Sequence, residues 1–114
     1  MPLLSLKIVR FVEEHQPNIV ACEFIDANDC LHTIIDKAAM FTGNDLERSS
    51  QYPQAGMVRC EVLDTSRDHS GRTLVWITLD RPDRIETTDG RSEFLVLDSQ
   101  ISDDPIETGL SGNA

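Results

Sequence analysis

Apolar residues in this chain recur with a period of two, and that constrains the fold more than any other feature, because side chains alternate faces along a strand but not along a helix. In residues 19–25, Val20, Cys22 and Phe24 fall on one face and Ala21 and Glu23 on the other. The run Asp26-Ala27-Asn28-Asp29 follows, residues that bond their own backbone and tolerate left-handed conformations, and then a second apolar run over residues 30–35. This is the clearest hairpin in the chain. Residues 6–12 predict a first strand, stopped by Pro17 and Asn18, and residues 57–64 another, with Val58, Cys60 and Val62 on one face. Residues 73–79 are the most apolar: Val75, Ile77 and Leu79 share a face and Leu74 and Trp76 the opposite one, so this strand is expected to be covered on both sides or to close a barrel.

Residues 65–72 read as a polar turn, residues 84–88 as a short strand, Asp89-Gly90 as a two-residue hairpin turn and residues 92–97 as the last strand. Between residues 36 and 56 the alternation lapses, and Gly43, Asn44, Pro53 and Gly56 predict one long loop in which Asn44 or Asp45 caps a short helical turn. The expectation is an all-β domain over residues 1–102, a small antiparallel barrel or sandwich of six to seven strands, with a disordered tail over 103–114. A barrel is preferred to a sandwich because closure removes exposed strand edges.

Charge narrows the functional classes. The chain has 114 residues with 20 acidic against 10 basic side chains, a formal net charge of −10. Such a field repels phosphate backbones and anionic lipid, and it speeds encounter with a basic protein. The expected partner is therefore a basic protein, with no direct nucleic acid and no membrane; no apolar run approaches the roughly 20 residues that span a bilayer. The negative field is densest after residue 80, and Asp83, Glu86, Asp89 and Glu93 are the expected partner-binding carboxylates, set against Arg81, Arg84 and Arg91. Tyr52 beside Pro53 is the expected aromatic anchor, with Trp76 a second if its face is open.

Chemistry-bearing patterns are sparse. The three cysteines, Cys22, Cys30 and Cys60, form no C-x-x-C pair, and Lys7 and Arg10 interrupt the apolar N-terminal stretch, so a reducing cytoplasmic location without a signal peptide is expected. His15, His32 and His69 have no zinc-ligand spacing; a metal site would need Cys30, His32 and a remote carboxylate to converge. Asp68-His69-Ser70 has the residue types of a hydrolytic triad, but adjacent turn residues cannot form the relay. The reading is a protein without catalytic activity, metal or cofactor.

The stretches Lys7-Ile8-Val9-Arg10-Phe11-Val12-Glu13-Glu14-His15-Gln16-Pro17, Cys22-Glu23-Phe24-Ile25-Asp26-Ala27, Val58-Arg59-Cys60-Glu61-Val62-Leu63 and Ser92-Glu93-Phe94-Leu95-Val96-Leu97 resemble a family of small bacterial proteins of unassigned function, over residues 6 to about 101. No residue role follows from that resemblance. By type rather than motif, the chain is similar to immunity proteins of contact-dependent growth inhibition systems, which implies binding and neutralisation of a basic nuclease toxin. The alternative is a ligand-binding or accessory β-barrel whose interior or long loop receives a small molecule.

Overall fold

The computed structural model describes residues 1–103. Eight strands make two antiparallel sheets: β1 (Pro2–Glu13), β2 (Ile19–Ile25), β3 (Leu31–Lys37), β4 (Gln54–Arg59) and β8 (Ile101–Asp103) in the first, and β5 (Glu61–Arg67), β6 (Thr73–Thr78) and β7 (Glu93–Leu97) in the second. The order in the first sheet is β3-β2-β1-β4; β8 pairs with the start of β1, on the edge that β2 occupies further along. The second runs β5-β6-β7.

The all-β expectation holds, and the preference for a barrel is corrected: the sheets do not close on one another. They share one core instead, Leu4, Ile8, Val20, Cys22, Phe24 and Ile34 from the first meeting Val75, Ile77, Phe94 and Val96 from the second. The alternation of each strand puts these residues on the inner faces, and area removed from water is what drives the two sheets together. Gly56 opposes Leu6 in the ladder, and a Cβ there would come within 2.9 Å of Ile8, so a side chain at this position would have to displace that fully buried isoleucine.

Four local expectations are corrected. Residues 57–64 are not one strand: Cys60, fully buried, is a corner at which the chain leaves the first sheet and enters the second, and its N–H donates to the Pro2 carbonyl at 3.1 Å. Residues 65–67 continue β5, and the turn begins at Asp68, whose Oδ1 accepts the N–H groups of Ser70 and Arg72. Residues 84–88 are irregular, because Ile85 turns inward to full burial and the chain tightens around Thr87, whose N–H donates to the Arg91 carbonyl. Gly90 sits in that turn at φ +84°, where a side chain would be strained. In the long connection the helical turn is Ala38–Met40, without a side-chain cap, rather than at Asn44 or Asp45. Strand β8 was not anticipated, and the expected tail, apart from Asp103, lies outside the described residues. Among those residues no helix is long and apolar enough to cross a membrane.

Candidate functional site

The outer face of the second sheet is the clearest candidate interface. Because Val75 and Ile77 point into the core, Leu74 and Trp76 must point away from it. The register then sets out three rows across the sheet: Glu61, Thr78 and Glu93; Asp64, Trp76 and Leu95; Ser66, Leu74 and Leu97. A bulge between Val62 and Asp64 brings both Glu61 and Asp64 to this face. Leu74, Trp76, Leu95 and Leu97 are half-buried and stand outside the shared core, so the expectation that β6 is covered on both sides or closes a barrel is corrected: on its outer face Thr78 is buried, but Leu74 and Trp76 remain partly open.

The rim of this apolar strip is charged. The Trp76 Nε1–H donates to Glu93 Oε1 at 3.0 Å, which fixes the indole and gives the carboxylate a role in positioning it. Arg81 Nε donates to Glu61 Oε2 at 2.7 Å; that bond, with the nearby charges of Asp80 and Glu93, holds the guanidinium still more firmly in its charged form.

The structure does not gather the sequence-predicted residues into one patch. Asp83 accepts two bonds from Arg59, from Nε at 2.9 Å and from Nη2, which ties the 79–92 segment to the end of β4. Such partly exposed pairs contribute about 0–1 kcal/mol each, so they position the segment more than they stabilise it. Asp89 accepts the Thr87 hydroxyl, a bond that holds its carboxyl below the ordinary value. Glu86 is exposed and has no partner among the described residues. Only Glu93 lies on the Trp76 face. Tyr52 is not a free anchor: it packs on the core, and its hydroxyl donates to the Glu47 carbonyl at 2.6 Å.

A buried polar pair was missed. His32 Nε2 donates to Asp26 Oδ2 at 2.8 Å, while Asp26 Oδ1 accepts the N–H groups of Asn28 and Cys30 at 2.8 and 3.0 Å. Burial by itself would raise the Asp26 carboxyl, but the His32 bond and the two backbone bonds outweigh it and hold the group below its ordinary value. The His32 ring lies against Phe24 and Phe94, centroids 5.2 and 4.5 Å away. The sequence signal was an Asp opening the hairpin turn and a His just past its exit, legible only once the pairing Phe24↔His32 is known. Cys30 does not join the pair, since it is exposed and its Sγ faces the Asn28 carbonyl. Among the described residues no group of three or more His, Cys, Asp or Glu is placed to hold a metal ion. In the Asp68-His69-Ser70 turn, Asp68 is bonded to Arg72 and Ser70, which hold its carboxyl down to about 2, and His69 is left exposed outside that network.

Burial, with a smaller effect from Asp36, pushes the Cys22 thiol up to about 12, and burial pushes Cys60 up to about 11. Since the thiolate is the reacting form, Cys30 alone is expected to react with an aromatic disulfide reagent at pH 8 in the folded protein, all three reacting in denaturant. Two fast thiols in the native state would contradict this burial.

The chain matches no protein-family profile, no curated protein and no solved structure.

Proposed function

We propose that this chain is a non-enzymatic acidic protein-binding module, most concretely an immunity protein that occupies the basic active-site cleft of a nuclease-type toxin. The observation that carries the reading is the Trp76 face: a half-open strip of one Trp and three Leu residues bordered by Glu61, Asp64 and Glu93. Interfaces combine an apolar centre with a polar rim, and Trp is among the residues that contribute most to binding. Carboxylates on the rim take the places of substrate phosphates. The net charge of −10 steers the basic partner inward, and burial of Trp76 sets the rate of release.

The test compares the tagged chain with its Trp76→Ala variant in capture from the native cell's lysate, at low salt and at about 0.5 M salt, where charges are screened beyond a few ångströms. One basic protein held by the native chain at low salt, depleted at least about tenfold with Trp76→Ala and inhibited stoichiometrically as a nuclease, is the expected result. Equal capture by both chains, or capture indifferent to salt, overturns the assignment to this face.

The ligand-binding alternative has one observation in its favour. With the shared core filled, its site would not be a barrel interior but a groove of about 550 Å³ on the first sheet, lined by Lys7, Glu23, Ile25, Leu31, Pro53 and Gln100 among others.

A further inference from the structure

A strand that ends a sheet leaves a row of unpaired peptide groups, and such an edge accepts another strand unless something covers it. Among the described residues the two sheets have five edge strands, β3, β4, β5, β7 and the three-residue β8, which pairs with β1 alone. Three each share one backbone bond with a passing segment: the Thr88 N–H donates to the Thr33 carbonyl of β3 at 2.9 Å, the Met57 N–H of β4 to the Phe41 carbonyl at 2.9 Å, and the Ala27 N–H to the Leu95 carbonyl of β7 at 2.8 Å. Among the described residues the seven-residue β5 is the longest edge strand without such a bond, and every residue of it after Glu61 is exposed. Val62 and Leu63 are each 39% open to solvent.

We propose that β5 receives an added strand from a basic partner: an extended segment with Lys or Arg placed to meet Glu61 and Asp64 on the outer face, and β-branched residues beside Val62 and Thr65 on the inner one. The cross-strand pairs Glu61↔Thr78 and Asp64↔Trp76 put both carboxylates on the side of the Trp76 strip, so the added strand extends that strip and its acidic rim by one row of side chains. Main-chain bonds to the open edge supply affinity, and the charges select the segment. A second copy of this chain is a poor occupant, because each brings a net charge of −10 to the contact. The inference rests on the basic-partner reading and adds the mode of docking.

The probe is a ten-residue synthetic peptide of alternating Lys and Val or Thr, offered at low salt unmodified and in two forms N-methylated at every second residue, one in each phase. A strand bonded along one edge presents alternate N–H groups to its neighbour, so methylation in one phase is expected to weaken binding at least about tenfold while the other phase is tolerated. Slowed amide exchange confined to β5, and weaker binding to the Asp64→Lys variant, complete the expected result. Equal binding of the two methylated forms, or changes at Trp76 without protection in β5, overturns strand addition and leaves the basic-partner reading standing. Failure of the unmodified peptide to bind, while Trp76-dependent capture of a basic protein succeeds, overturns strand addition alone. Protection of β5 that grows with the concentration of the chain by itself assigns the edge to a second copy, which also overturns it.

Discussion

Phe94→Ala is expected to lower the free energy of unfolding by about 4 kcal/mol, read as a shift of the urea midpoint at constant slope. Phe94 is fully buried, its ring stands edge-on to Phe24 with centroids 5.1 Å apart, and the Arg91 guanidinium lies over it, 4.9 Å from its centroid. It packs β7 against Phe24 and His32 of the β2–β3 hairpin, beside the Ala27–Leu95 backbone bond, so truncation removes apolar burial and a principal contact between the two sheets together. Against a total stability of about 5–15 kcal/mol, such a loss is a large fraction. A cost under about 1.5 kcal/mol would mean that neighbouring side chains collapse into the space and that Phe94 is not the bridge.

Asp26→Ala is expected to cost about 3 kcal/mol at neutral pH, because it leaves His32 and two backbone N–H groups without their acceptor inside the fold. The effect has a definite pH dependence. The folded carboxyl lies below its ordinary value of 3.8, so its contribution is complete above the unfolded value and is lost as pH falls through the folded one. Native and variant unfolding free energies, measured from pH 7 down to about pH 3, should therefore converge at the acid end, below the unfolded Asp value of about 3.9. Curves that stay parallel throughout would show that the ionised form of Asp26 is not what the fold holds.

The strands were legible where burial is one-sided. In β2 and β3 the alternation, the Asp26-Ala27-Asn28-Asp29 turn and the register all agree, and Asp29 takes φ +62°, the left-handed conformation that such residues tolerate. The corner at Cys60 was hidden because Val58, Cys60 and Val62 keep the same alternation through it, so period two does not reveal a change of sheet. Residues 84–88 have strand-like composition, yet one buried isoleucine and a threonine bonded across its own turn give that segment a different path. The sheets stay open, and passing segments bond to three of the five edge strands, contacts that join positions distant in sequence.

The site was less legible than the fold for the same reason. Net charge predicts the sign of a partner, but which carboxylates face it depends on bonds such as Arg59 to Asp83 and Trp76 to Glu93, across 24 and 17 positions of chain. Acidic residues crowd the segment after residue 80, yet only Glu93 among the four expected there shares a face with the open tryptophan.

Strand β1 joins the most distant parts of the described sequence. It pairs with β2 from Lys7 to Glu13, with β4 from Leu3 to Ile8 and with β8 from Pro2 to Leu4. The β2–β3 hairpin closes over a short stretch of chain, whereas Pro2 opposite Asp103 closes a loop of about a hundred residues. Measured along the chain, the β1–β8 pairing therefore carries the largest loop-closure cost of the described strand pairs, and it is expected to form late in folding.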